Sequence, residues 1–124
     1  MANKQYVYVD HGGTTPVFPA VIESMAHCMA ENWGNPSSVH YIGRQANAAL
    51  NRARAEVASL IGAKPEQIYF TSGGTEADNL AILGMAGARR EKGHIITSMV
   101  EHKAVLAPCD YLEKIGYAVT YLPL

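Results

Sequence analysis

The chain has 124 residues, of which 48% are hydrophobic and 17% are charged, a composition typical of globular proteins rather than disordered or fibrous ones. Ten basic residues against eleven acidic ones give a formal net charge of −1, which argues against the clustered basic surface of a nucleic-acid-binding or membrane-surface protein. The length suits one domain with one hydrophobic core and is too short for two comfortable ones.

The sequence predicts neither a membrane span nor a secretion signal. Its longest run without a charged or polar side chain is Leu80–Ala88, whereas a spanning helix needs about 20 apolar residues. In the N-terminal segment Met1–Asp10, Lys4 is not followed by an apolar stretch, so we expect no signal peptide. Cys28 and Cys109 lie far apart and in no Cys-x-x-Cys pair, which favours reduced thiols in a cytoplasmic protein.

Apolar residues recur first at helical spacing and then in an alternation of strand-like and helix-like segments. Strands that are separated by helix-length segments need crossover connections, and they therefore predict a parallel sheet in an α/β fold. The predicted elements, in chain order, are a short β-rich run Tyr6–Val9, helices Val17–Glu31 and Val39–Ile61, a strand Gln67–Thr71, a helix Thr75–Glu91, a strand His94–Thr97, a helix His102–Ile115 and a strand Tyr117–Leu122.

Glycine and serine mark the expected ends of the helices. Ser37 or Ser38 could cap the start of the second helix. Gly62 and Gly116 follow the ends of two predicted helices, where glycine accommodates a left-handed backbone. We expect one partial domain over residues 1–124, with an N-terminal helical segment at 1–64 and the start of an α/β region at 65–124.

The strongest chemical signal is the segment Thr71–Glu76, with sequence Thr-Ser-Gly-Gly-Thr-Glu. It is predicted to leave a strand and enter a helix, whose first N–H groups and dipole favour an anion such as phosphate. Ser72 and Thr75 add hydroxyl donors. A purely structural alternative remains open, in which Thr75 is the N-cap of the helix and Asp78 completes a capping box. No lysine followed by serine or threonine comes after the glycines, so the segment is not a Walker A loop.

A second candidate is His102, just after the predicted strand His94–Thr97. Ligands of open α/β sheets gather at the carboxyl ends of the strands, so His102 should share an edge with Gly74. An imidazole there could stack on a flat ligand or transfer a proton. The alternative is a solvent-facing histidine at a helix start. No other histidine has a partner at metal-ligand spacing, so no metal site is predicted.

Four segments of the sequence resemble the signature motifs of cysteine desulfurases, and they occur in the same order. The first lies in a turn, the second in a loop, the third is the Thr71–Glu76 segment, and the fourth contains His102. The segments are Val9–Pro16 (VDHGGTTP), Gly34–Arg44 (GNPSSVHYIGR), Ile68–Asn79 (IYFTSGGTEADN) and His94–Leu106 (HIITSMVEHKAVL).

The resemblance implies the N-terminal portion of a fold-type-I enzyme that uses pyridoxal 5′-phosphate (PLP) and is a homodimer when complete. Such enzymes convert L-cysteine to L-alanine and an enzyme-bound persulfide, which passes to sulfur-acceptor or iron–sulfur scaffold proteins. By position, Gly74 and Thr75 would bind the PLP phosphate. His102 would stack on the pyridine ring and take part in catalysis as a proton carrier.

The sequence also departs from the family pattern. Gly13 replaces the alanine that usually precedes Thr-Thr, and His11-Gly12 replaces the more usual residues before it. The family's Schiff-base lysine and persulfide-forming cysteine are expected beyond Leu124, and Lys103 should not be mistaken for that lysine. The chain is therefore expected to be an enzyme fragment that is inactive alone. Two alternatives are another class-V aminotransferase relative and a non-catalytic interaction module.

Overall fold

The computed structural model describes residues 6–123. The chain forms two compact units, which are Met1–Ile68 and Tyr69–Leu124. Residues 1–5 of the N-terminal segment Met1–Asp10 and the last residue, Leu124, lie outside the described residues. Within residues 6–123, none of the helices combines the length and the apolar content that are needed to cross a bilayer. The predicted division at residue 64 stays a prediction.

The first unit contains two α-helices, α1 (Pro19–Glu31) and α2 (Tyr41–Leu60), and a 3-10 turn at Pro65–Gln67. Both helices were predicted within two residues of their observed bounds. Pro19 begins α1, a position where its missing N–H costs no helical hydrogen bond. No residue of α1 is buried, although apolar residues recur along one face of the helix.

The cap of α2 differs from the prediction, because His40 rather than Ser37 or Ser38 is the N-cap. The Nδ1 atom of His40 accepts a hydrogen bond from the N–H of Gly43 at 3.2 Å. Ser37 instead donates its N–H to the Asn35 side chain at 2.9 Å, and Ser38 donates its N–H to the Asn35 carbonyl at 3.0 Å. Both serines therefore belong to a turn built on Asn35 that precedes the helix.

The predicted role of Gly62 at the end of α2 is confirmed. Gly62 has a φ of +67°, which lies in the left-handed region that favours glycine. The N–H of Ala63 donates to the carbonyl of Ala58 at 2.8 Å, as in a Schellman motif. This hydrogen bond satisfies a carbonyl of the last turn and releases the chain from the helix.

The second unit contains α3 (Gly74–Gly87), β1 (His94–Ser98), α4 (Lys103–Lys114) and β2 (Ala118–Leu122). The strands pair in parallel, from His94 opposite Ala118 to Ser98 opposite Leu122, and α4 is the crossover between them. The two helices pack together. Buried side chains between α3, α4 and the sheet are those of Ala86, Ala104, Pro108, Cys109 and Leu112. The predicted parallel α/β arrangement is confirmed.

The predicted strand at Gln67–Thr71 is wrong. Among the described residues, β1 and β2 pair with each other, and residues 68–71 belong to no strand. Local hydrogen bonds involve the start of this segment instead: Gln67 N–H donates to Lys64 O at 2.9 Å and Ile68 N–H to Pro65 O at 3.1 Å. The β-rich run Tyr6–Val9 likewise forms no strand. A strand needs a neighbour, and sequence alone does not supply one.

Candidate functional site

The first turn of α3 offers free backbone donors. Gly73 is the N-cap; its backbone is extended, and glycine has no side chain that could cap the helix. The Ala77 N–H donates to the Gly73 carbonyl at 3.1 Å, so the N–H groups of Gly74, Thr75 and Glu76 precede the helical ladder. Donors of this kind, together with the helix dipole, form an anion-binding site.

This turn is also accessible. Gly74 and Thr75 are exposed, and a Cβ atom added at Gly73 or Gly74 would meet no atom within 4 Å. Thr75 is the second residue of α3 rather than its N-cap, so the structural alternative considered for it does not apply. The residues around the turn therefore leave room for a phosphate group against the free N–H groups.

Glu76 stabilises the turn from within the helix, a role that the sequence analysis missed. One carboxylate oxygen, Oε2, accepts hydrogen bonds from the Ser72 hydroxyl at 2.6 Å and the Ser72 N–H at 2.7 Å. These two hydrogen bonds, first that from the hydroxyl, lower the pKa of Glu76 below its ordinary value. A glutamate three residues after an N-cap is a known helix-start signal. The sequence would have shown this signal if Gly73, rather than Thr75, had been considered as the N-cap.

His102 is the N-cap of α4, just beyond the carboxyl end of β1. Its Nδ1 atom accepts a hydrogen bond from the Ala104 N–H at 3.1 Å. A neutral imidazole in this arrangement carries its proton on Nε2. Because the residue is exposed, the Nε2–H and one ring face can contact a ligand. Capping therefore fixes the ring while leaving its other nitrogen available.

Asn79 brings the first turns of the two helices together. Its Nδ2 atom donates to the carbonyl of Thr75 at 2.8 Å and to the carbonyl of Ala104 at 3.3 Å. Thr75 lies in the first turn of α3, and Ala104 lies in the first turn of α4, two residues after His102. The three predicted site residues, Gly74, Thr75 and His102, thus lie at the adjacent starts of two packed helices.

The C-terminal end of α3 lies close to the start of β2. The hydroxyl of Tyr117, next to the start of β2, donates to the carbonyl of Ala86 near the end of α3 at 2.9 Å. An apolar cavity of about 350 Å³ lies at this end and is lined in part by Met85, His94 and Ile95. This cavity lies at the opposite end of α3 from Gly74 and Thr75. We therefore take the two helix starts, and not this cavity, as the candidate site.

The two motifs of the first unit form ordered turns. In one, the Tyr8 hydroxyl lies 2.8 Å from the carbonyl of Asp10, and a Cβ atom at position 13 would lie 2.8 Å from an Asp10 carboxylate oxygen. The contacting atoms are the end of the Asp10 side chain, which can rotate away, so this approach alone does not require glycine at position 13. In the other, a Cβ atom at Gly43 would lie 2.5 Å from the Ser38 carbonyl oxygen.

Cysteine and metal chemistry find little support among residues 6–123. Cys28 is exposed, Cys109 is buried, and both are free thiols. Burial raises the pKa of Cys109, which disfavours the reactive thiolate. Within this described range, no three or more histidine, cysteine, aspartate or glutamate side chains are grouped to hold a metal ion.

Comparison with known proteins identifies the family. The sequence model described as Aminotransferase class-V matches residues 7–124. This chain belongs to the class-V aminotransferase family. Curated relatives of this class-V aminotransferase chain include the cysteine desulfurases IscS of Dictyoglomus turgidum, 52% identical over 98% of the chain, and of Methanosarcina thermophila, 55% identical over 95%. The chain spans 31% and 30% of the lengths of these relatives.

Solved structures agree with the family assignment. A structure described as SspA in complex with cysteine has a TM-score of 0.81 and 46% identity, over 90% of this chain and 33% of that one. DndA from Streptomyces lividans has a TM-score of 0.75 and 42% identity, over 94% of this chain and 33% of that one. The resemblance to cysteine desulfurases and the predicted fold class are thereby confirmed.

Proposed function

We propose that this chain contributes the phosphate- and ring-binding part of a PLP-dependent cysteine desulfurase. The observation that carries the proposal is the accessible first turn of α3 next to His102, in a chain similar to cysteine desulfurases over nearly its whole length. A phosphate fits the free N–H donors there, and an exposed imidazole lies on the neighbouring helix start. We also propose a cytoplasmic location, where the two cysteines, both free thiols in the structure, would stay reduced.

Each residue has a defined task in this proposal. The N–H groups of Gly74 and Thr75, with the Thr75 hydroxyl, hold the phosphate. His102 stacks on the pyridine ring. Because its Nδ1 accepts a hydrogen bond from the Ala104 N–H, its Nε2 is the nitrogen that holds or moves a proton beside the ring. When bound, PLP supplies an electron sink for the bonds that break at the amino acid.

We propose L-cysteine as the substrate, with L-alanine and an enzyme-bound persulfide as products. The description of the similar SspA structure as a complex with cysteine supports this choice. The persulfide would pass to a sulfur-acceptor or iron–sulfur scaffold protein, and the complete enzyme would be a homodimer. The Schiff-base lysine and the persulfide cysteine would come from outside these 124 residues.

The test combines cofactor binding with product analysis on the intact protein. Thr75→Ala should weaken PLP binding, because a hydrogen bond to a charged phosphate contributes about 1.5–3 kcal/mol. Thr120→Ala is the matched control. Thr120 lies on β2, and its hydroxyl contacts the His94 side chain at 2.7 Å and not the first turn of α3. With a thiol reductant added to reduce the persulfide and release its outer sulfur as sulfide, equal amounts of sulfide and alanine from L-cysteine are expected. Amino-group transfer without sulfide would instead identify another class-V activity.

A further inference from the structure

Pro108 lies inside α4 and leaves one carbonyl of that helix without its usual donor. In an α-helix the N–H of residue 108 would donate to the carbonyl of residue 104, but proline has no N–H. Pro108 is buried within α4, and Ala104 is buried in the first turn. An unpaired buried carbonyl is costly, so the fold requires another donor at Ala104.

Asn79 supplies that donor from the neighbouring helix. Its Nδ2 lies 3.3 Å from the Ala104 carbonyl oxygen and 2.8 Å from the Thr75 carbonyl oxygen. A side-chain amide nitrogen has two hydrogens, so both contacts can form at once. The flipped amide would place its oxygen against two carbonyl oxygens, which fixes the orientation by the hydrogen-bond pattern.

The backbone of Ala104 is thereby tied to both candidate binding groups through its N–H and its carbonyl. Its N–H donates to the His102 ring at 3.1 Å, and its carbonyl accepts from Asn79, which also holds the carbonyl of Thr75. A continuous series of hydrogen bonds runs from the phosphate turn to the imidazole. A shift of one helix start along the other would break it.

We infer that Asn79 is a positioning residue, which sets the separation between the phosphate turn at Gly74–Thr75 and the ring of His102. Pro108 makes this possible, because it frees the Ala104 carbonyl to accept a hydrogen bond from another helix. The inference rests on the proposed function, in which one rigid ligand must reach both groups. A fixed separation favours a ligand whose phosphate and aromatic ring are covalently joined, since the spacing is set before binding.

The test compares PLP with its two parts on the intact protein without bound cofactor. Asn79→Leu keeps a similar volume and removes both donors. It should weaken PLP binding by about tenfold, as for loss of one well-placed hydrogen bond. Binding of inorganic phosphate alone and of pyridoxal alone should change little, because neither ligand spans the two groups. Asn51→Leu, at an exposed asparagine of α2, is the control and should leave PLP binding unchanged.

A second variant separates positioning from simple stabilisation. Pro108→Ala restores an N–H that can reach the Ala104 carbonyl, so Asn79→Leu should cost less stability to urea in that background. If Asn79 only satisfies the carbonyl, PLP affinity will recover together with stability, and that result would overturn the inference. If Asn79 sets the separation, stability will recover and PLP affinity will not.

The inference also has a readout that does not depend on the cofactor. In the unliganded protein, adding Asn79→Leu to Pro108→Ala should shift the backbone amide resonances of both Thr75 and His102. Unchanged resonances would overturn the positioning role even if PLP binds normally. Failure of the parent protein to bind PLP would refute the proposed function, and the resonance measurement would still decide the role of Asn79.

Discussion

The carboxylate of Glu76 accepts both the hydroxyl and the N–H of Ser72, and this contact makes a direct prediction about titration. The hydroxyl contributes most to the lowered pKa of Glu76, so Ser72→Ala should raise that pKa toward its ordinary value. The measurement is the carboxyl ¹³C chemical shift of Glu76 against pH. Ser59→Ala in α2 serves as the control. A Glu76 titration that is the same with and without the Ser72 hydroxyl would contradict the contact.

The sign of the accompanying stability change follows from the lowered pKa. Because the folded state favours the charged carboxylate, the contribution of Glu76 is present above its unfolded pKa. It is lost as the pH falls through the lower folded pKa. Glu76 is fully exposed, so the effect should be small and confined to the acid range. Glu76→Gln should remove this part of the pH dependence.

Single residues differ in how far the sequence reveals their roles. Gly62 and Gly116 were predicted to follow helix ends, and both have a positive φ, because that backbone requirement is local. Ser37 and Ser38 were mistaken for caps, since several polar residues near a helix start compete for the same N–H groups. The bridge from Asn79 to Ala104 was invisible because it joins residues of two helices, whose packing is known only in three dimensions.

Two glycines in helix regions should respond in opposite ways to the same substitution. Gly62 follows α2 with a φ of +67°, where an alanine side chain costs about 1–2 kcal/mol. Gly84 lies inside α3 with no atom within 4 Å of an added Cβ, where alanine gains about 0.5–1 kcal/mol. Urea unfolding of Gly62→Ala and Gly84→Ala should therefore move the midpoint down and up, respectively. A shift in the same direction for both would contradict the helix end at Gly62.

Elements were predicted well where the signal was periodic and poorly where it required a partner. Each α-helix was predicted to within a few residues, because its apolar spacing is a local property of the sequence and two of the helices are followed by glycine. The strands at His94–Ser98 and Ala118–Leu122 were also found, and they pair with each other. The segment after Pro65 has β-forming residues but no neighbouring strand among residues 6–123, so propensity there was overridden.

At the scale of the whole molecule, the 124-residue chain exposes apolar faces. The apolar face of α1 includes Val21, Ile22, Met25 and Met29, which are between 45% and 69% exposed. On the sheet, Ile96 is 63% exposed and Leu122 is 50% exposed. Exposing a large apolar side chain forfeits about 1.5–3 kcal/mol, against a typical domain stability of about 5–15 kcal/mol. We therefore expect the isolated 124-residue chain to self-associate or to unfold partly.

Light scattering and thermal melting across a range of concentrations will test this expectation. Ile22→Glu places a charge on the apolar face of α1, where no residue is buried, so it should reduce association without removing helix signal. Asp110→Glu lies at an exposed position of α4, where Asp110 pairs with Lys114. It keeps the charge and is the control for a surface substitution outside the apolar face of α1. A strict monomer with a concentration-independent melt would contradict the prediction and favour an autonomous binding module.

The overall site could be predicted in part because its signals lie in short segments. The helix start at Gly74–Thr75 and the histidine after β1 were both recognised, and the structure places them at adjacent helix starts. The connection between those starts depends on Pro108 and Asn79, which gave no chemical signal of their own. The assignment of Gly74, Thr75 and His102 to cofactor binding stays a proposal.

The open space around Gly74 also bears on how natural variants and mutant libraries should be interpreted. At Gly43 an added Cβ would collide with the Ser38 carbonyl oxygen at 2.5 Å, so a screen for protein abundance should reject side chains there. At Gly74 the fold itself sets no such limit, because nothing lies within 4 Å. Any restriction to small residues at Gly74 should therefore emerge only under selection for activity. Two screens of one library would separate glycines that serve the fold from those that serve a ligand.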